Sequence, residues 1–210
     1  MNPASSTTSS TTSSTGRKLS LGDIADVRAY ERERAEFRDQ VLELRRVRRV
    51  AVGTIITLSF ESRETIRYQI QEMARVEKLM TDDDIQNEID TYNPLIPEPG
   101  QLCATMFIEV TSDDSMREWL PRLVGIERHV VIRLPDGSEV RSYPEAQHAS
   151  QLTRANITSA VHYLQFAFEP AQIQALAQGS ALLLIDHPAY LEANELTAAT
   201  VTELQRDLGQ

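Results

Sequence analysis

A mixed α+β fold is predicted for this 210-residue chain: an N-terminal helical layer with one strand, followed by a sheet built from two strand–helix–strand units. Three observations predict it. Apolar residues recur at intervals of three and four between Leu19 and Met80, the period of an amphipathic helix. From Leu102 onward they alternate, the period of a strand with one buried face. A strand, a short helix, a glycine and a second strand then occur at 102–134 and again at 157–185, each of about 30 residues, a size that suits a strand–helix–strand element.

Residues 1–16 contain 11 Ser or Thr. They lack Lys, Arg and an apolar core, so they read as a disordered tail over 1–17 and not as a secretory signal. One domain is expected from 18 to 210, with a candidate sub-boundary at 94–100. Ser20 or Asp23 can cap a long helix from Leu19 to Val50. Val27, Tyr30, Phe37, Val41 and Leu44 give that helix a narrow apolar seam, interrupted by Arg34. Such a seam suits packing against another helix, in this chain or in a second copy. Val50 to Phe60 is one strand, with Gly53 inside it. Ser62 caps the next helix, and Glu64 stands in its first turn where the dipole favours a carboxylate. Ile66, Ile70, Met73 and Met80 form its stripe.

Thr81 caps a further helix in a box-like arrangement with Asp84, with Ile85, Ile89 and Tyr92 on its apolar side. Asn93-Pro94 and Pro97-Glu98-Pro99-Gly100 stop it, since proline cannot continue a helix. Leu102, Ala104, Met106, Ile108 and Val110 share one strand face. Ser112 to Val124 is a short helix carrying Trp119. Val130–Leu134 and Glu139–Tyr143 pair through the turn Pro135-Asp136-Gly137-Ser138. Ile157 to Phe168 and Ala181 to Ile185 are strands flanking the helix Ala171–Gln178. Thr197 caps a closing helix, Leu196 to Leu208.

Composition narrows the function. Net charge is −10, although Arg17–Arg49 holds 10 basic against 7 acidic residues. The acidic body opposes nucleic-acid binding. Cys103 is the only cysteine, so one chain holds no internal disulfide and no cysteine cluster. The longest wholly aliphatic run, Ala181 to Ile185, is too short to span a membrane. A soluble protein in the cytoplasm is expected.

Candidate chemistry gathers on the helix after Ser62. Glu64, Tyr68 and Glu72 recur every four residues and Arg75 follows, so the four stack along one face. The row is either a solvated salt-bridge ladder or a polar binding site with Arg67 and Glu88 as neighbours. Glu61, Glu64, Glu72, Glu77 and Glu88 supply enough oxygens for a hard cation only if the fold brings them together. Arg45, Arg46, Arg48 and Arg49 are either a patch for phosphate or an acidic partner, or a basic helix end complementing the dipole. Among the histidines, His162 shares a face with Leu164 and Phe166 and reads as a core residue. Glu145 and His148 make a single Glu-x-x-His where di-iron bundles use two. His187 and Tyr190, in Asp186-His187-Pro188-Ala189-Tyr190, follow a buried strand and are secondary binding candidates, against the plainer reading of an Asp–His pair bracing a turn. Neither a metal nor a cofactor is predicted. No phosphate loop, nucleophile elbow or dinucleotide fingerprint is present, so whether the chain is an enzyme stays open.

The run FESRETIRYQIQEMARVE, with EIDTYNPLIP after it and DHPAY near the end, resembles DUF3501, a bacterial family of unknown function, over about Lys18 to the C-terminus. The resemblance implies a setting near rubrerythrin-like and iron–sulfur proteins, hence redox or oxidative-stress physiology. The expectation is a binding or assembly module, homodimeric through the Val27–Leu44 seam, with a partner of iron–sulfur or rubrerythrin-like type. The alternative is a small-molecule or metal site on the helix 63–80.

Overall fold

Capped amphipathic segments come first in the chain, and helices come first in the fold. The computed structural model describes residues 17–147, 153, 154 and 156–209; the Ser/Thr-rich tail to residue 16 and His148 lie outside them. Helix α1 runs Val27–Arg48, α2 Arg63–Glu77 and α3 Asp82–Tyr92. The caps of α2 and α3 are the expected ones: Ser62 accepts from Thr65 N, and Thr81 from Asp84 N. The cap of α1 is not. Asp26 accepts from Arg28 N and Ala29 N, both at 2.9 Å, while Ser20 and Asp23 hold a separate 3-10 turn, Leu21–Asp23. The seam of α1 packs on α2 of the same chain, where Tyr30 is 0% and Val41 2% exposed. Helix α2 ends early because Lys78 takes a left-handed conformation, φ 56°. Met80 therefore leaves the expected stripe and is 81% exposed, and Ala74 is buried in its place.

The stretch read as one strand is a hairpin. β1 (Arg49–Val52) and β2 (Ile56–Phe60) pair antiparallel around Gly53. Gly53 sits at φ 69°, a conformation glycine adopts without penalty. The Tyr190 hydroxyl fills the turn, donating to Val52 O at 2.8 Å and accepting from Thr54 N at 2.9 Å and Ile55 N at 3.2 Å. A Cβ at Gly53 would overlap that hydroxyl.

The two strand–helix–strand units are present, but they do not build a single sheet. The first is β3 (Gln101–Ile108), α4 (Asp113–Arg122) and β4 (Val130–Arg133). β5 (Glu139–Arg141) pairs with β4, and β6 (Tyr143–Pro144) follows. After a small ribbon of β7 (Thr153–Arg154) and β8 (Ile157–Thr158) comes the second unit. It comprises β9 (Val161–Ala167), α5 (Pro170–Leu176) and β10 (Leu182–His187). β11 (Tyr190–Glu195) returns along β10, and α6 (Ala198–Gly209) closes the chain. β3 pairs with β9 in one sheet, ordered β1-β2-β3-β9-β6, and β4 pairs with β10 in another, ordered β11-β10-β4-β5. Each unit thus crosses from one sheet to the other. The cause is the single apolar face of β3 and β9. Leu102, Met106, Leu164 and Phe166 need a covering layer, and Val130, Ile132, Leu183 and Ile185 of the second sheet supply it within one core.

A buried ion pair ties α1 to α6. Arg48 donates to both Asp207 oxygens at 2.6 and 3.1 Å and to Glu203 at 3.3 Å. Burial works to raise the Asp207 carboxyl, and the Arg48 guanidinium works against it.

Candidate functional site

Alternation along β2 sets the site. Ile56, Leu58 and Phe60 enter the core between the sheets, so Thr57 and Ser59, with Glu61 next in line, face the helices. β3 repeats the arrangement, with Ala104 and Met106 inward and Thr105 and Phe107 outward. Register then aligns Arg49, Ser59, Thr105 and Tyr163 as one row across β1, β2, β3 and β9. Arg45 from α1, Ile66 and Gln69 from α2, and Tyr92 from α3 close the space above that row. What remains is a cavity of about 330 Å³, within the range of small-molecule sites.

Two of the charged side chains that line the cavity, Glu61 and Arg45, do not meet. Glu61, 8% exposed, accepts from Thr105 Oγ1 and Thr65 Oγ1, both at 2.6 Å. Its carboxylate has no Lys or Arg partner among the described residues; Arg48 reaches only the Glu61 backbone carbonyl, at 3.4 Å. Arg45 lies over the Tyr68 ring, 5.4 Å from its centroid, and has no carboxylate partner among the described residues. Arg49 is different: it pairs with Glu109 and lies 5.7 Å from the Phe107 centroid. Burial raises the Tyr92 and Tyr163 phenols, so both are neutral at physiological pH. Cys103, one pair along from Thr105 on the same face, has its thiol pushed up to about 12 by burial, which makes it unreactive.

The expected site residues fall in three places. On the outer side of α2, Glu72 accepts from Arg34 at 2.7 and 2.9 Å, from Tyr30 Oη at 2.7 Å and from Arg75 at 3.3 Å. The Arg34 hydrogen bonds, followed by those from Tyr30 and Arg75 and opposed by burial, hold its carboxyl at about 2. This row is neither a solvated ladder nor a buried network: the Glu72 side chain is 21% exposed. It is a clasp between α1 and α2. Tyr68 takes no part in it and instead meets Phe37 edge-on at 5.7 Å. Arg67 donates to Asp23 O at 2.8 Å and covers Phe37 at 4.8 Å. Glu88, on α3, is raised by burial and by Glu77 and stands apart from Glu72. Among the described residues, no three His, Cys, Asp or Glu side chains gather as a metal site would require.

The arginine cluster divides. Arg45 and Arg49 line the cavity, Arg46 points outward to Glu43 at 3.1 Å, and Arg48 is locked to Asp207.

His187 and Tyr190 lie at the β10–β11 turn, and both hold structure. His187 accepts from Ala189 N and donates to Val124 O, each at 3.2 Å; Tyr190 fills the Gly53 turn. An Asp–His pair exists, but the histidine is His129, 2.9 Å from Asp186. Neighbours along a strand face opposite ways, so Asp186 turns from His187 toward β4 and β5. Arg141 holds it at 2.6 and 2.9 Å and, with His129, keeps its carboxyl at about 2. His162 is the core residue expected, 2% exposed. Its Nε2 donates to Ser159 O at 3.0 Å, and burial lowers its pKa.

Ser59, Thr105 and Tyr163 are not among the expected site residues, and Tyr92 is expected only as part of an apolar helix side. For Ser59 and Thr105 the available signal is a polar residue on the second face of a strand whose first face is wholly apolar, ITLSFE and CATMF.

No helix among the described residues is long and apolar enough to cross a membrane. The family model described as "Protein of unknown function (DUF3501)" matches residues 18–208. A crystal structure from Burkholderia pseudomallei K96243, described as a novel protein of unknown function, superposes with a TM-score of 0.83 at 35% identity, covering 91% of this chain and 99% of that one. No curated protein matches.

Proposed function

The chain belongs to the DUF3501 family, and we propose for it a small-molecule-binding role, with the ligand in the cavity beneath α2 and an anionic group of that ligand on Arg45. The observation that carries this reading is Arg45 itself. An arginine keeps its charge at any physiological pH, and a partly buried charge is stabilised by a partner. Arg45 borders a cavity of about 330 Å³ with no carboxylate partner among the described residues. A wider trough of about 690 Å³ between α1 and α6 supports the reading less well. Its arginines are already engaged: Arg48 with Asp207, Arg63 with Asp23, Arg206 with Glu203, and Arg17 with the Asp207 backbone carbonyl. The test is thermal unfolding against a panel of small carboxylates and phosphates. A ligand at a hundred times its Kd stabilises by about 2.7 kcal/mol. A member of the panel is expected to raise the melting temperature of wild type and not of Arg45→Met. Failure of every member to move wild type refutes the reading.

A second reading, assembly, is favoured by exposed apolar side chains where α2 ends: Leu21 at 37%, Val76 at 64% and Met80 at 81%. The Val27–Leu44 seam expected to make the homodimer packs on α2 of its own chain, so a homodimer falls to this corner instead; a concentration-dependent mass in light scattering is the expected result, and a constant monomer mass removes it. A partner of iron–sulfur or rubrerythrin-like type is tested by co-purification from native cells.

A further inference from the structure

We infer that the ligand is a zwitterion of amino-acid size, its carboxylate on Arg45 and its ammonium on Glu61; this rests on the binding reading above and adds the ligand's second charge. Glu61 is the reason. A carboxylate that is 8% exposed requires compensation, yet its donors are only the hydroxyls of Thr65 and Thr105. Each hydroxyl occupies one acceptor position on a different oxygen, and an ionised carboxylate offers about four. Both oxygens therefore retain room for a donor, and an ammonium brings three.

Charge balance points the same way. Arg45 and Glu61 border one cavity and do not pair with each other. A simple anion would satisfy Arg45 and place a second negative charge near Glu61. A simple amine would do the reverse. Only a ligand carrying both charges meets both groups with the favourable sign. The rest of the lining is mixed: Ile66, Leu95, Phe107 and Val161 with the Tyr92 and Tyr163 rings, beside the polar Ser59, Thr105 and Gln69. The apolar and aromatic share of that wall suits a ligand with an apolar or aromatic body.

Calorimetric titration of the full chain near pH 7 with L-phenylalanine, 3-phenylpropionate and phenethylamine tests this. These three share a phenyl body and differ in charge. Phenylalanine is expected to bind about tenfold or more tightly than either of the others, as a charge-assisted hydrogen bond predicts. Glu61→Gln, which keeps the shape and removes the charge, is expected to bring phenylalanine level with phenylpropionate. If phenylpropionate binds wild type as tightly as phenylalanine does, the inference is overturned while the anion reading stands. If phenethylamine binds as tightly, the Arg45 half fails and both are overturned. Absence of binding by all three overturns the inference, and the anion reading falls with it if the wider carboxylate and phosphate panel is also silent. The wild-type comparison decides the matter even if Glu61→Gln does not fold.

Discussion

The two faces of the five-stranded sheet are built from the same strands and do opposite work. Toward the second sheet, Leu58, Phe60, Met106, Leu164 and Phe166 are buried to 0% exposure. Toward the helices, Ser59, Thr105 and Tyr163 stand beside a cavity of about 330 Å³. The contrast teaches where a fold keeps room for a ligand. Branched and aromatic side chains interdigitate and exclude space. Short hydroxylated side chains leave a gap beneath helices that are held in place by other contacts. Those contacts are polar: the Glu72 clasp joins α1 to α2, and Arg48–Asp207 joins α1 to α6.

The largest expected effect lies on the packed face. Phe166→Ala should cost about 3–5 kcal/mol, the usual range for an aromatic removed from a close-packed core. Thr105→Val, on the cavity side of the same sheet, removes one hydroxyl donor from Glu61 and should cost about 1 kcal/mol. Chemical denaturation of both variants breaks the comparison if the two losses are equal.

The clasp comes next. Glu72→Ala leaves the buried Tyr30 hydroxyl without its acceptor, so a loss of about 2 kcal/mol is expected. That is more than a surface pair contributes and less than a fully buried one. Acid sharpens the point. Glu72 is held at about 2 against an ordinary 4.5, so its contribution is complete above the ordinary value and is lost as pH falls through about 2. Asp186, also held at about 2, behaves alike. Wild type should therefore lose more stability between about pH 5 and pH 2 than Glu72→Gln does, and parallel pH profiles would remove the clasp from the account.

A further variant separates structure from binding. Tyr190→Phe deletes a hydroxyl bonded to Val52, Thr54 and Ile55 and should cost about 1–2 kcal/mol, with no change in binding to the cavity. A binding defect at unchanged stability would return Tyr190 to the site.

What the chain determined by itself is local. The Ser62 and Thr81 caps, the closing helix behind Thr197 and the alternation of β3 are legible because each depends on residues two to four apart. Even Gly53 was visible, although its meaning was not: a glycine within a β-branched run can be strand or turn. The hydroxyl that settles it as a turn comes from Tyr190, separated by 136 residues from Thr54. Arg48 illustrates the same limit. It read as one of four equivalent arginines until Asp207, 159 residues away, took it out of solvent and left Arg45 facing the cavity. Likewise Asp186 met His129 rather than its neighbour His187, because strand geometry sends adjacent side chains to opposite faces. Capping and periodicity act through bonds that close within one turn or one pleat. A cavity, an ion pair or the choice of partner for a histidine depends on which distant segments the core brings together, and only the tertiary structure decides that.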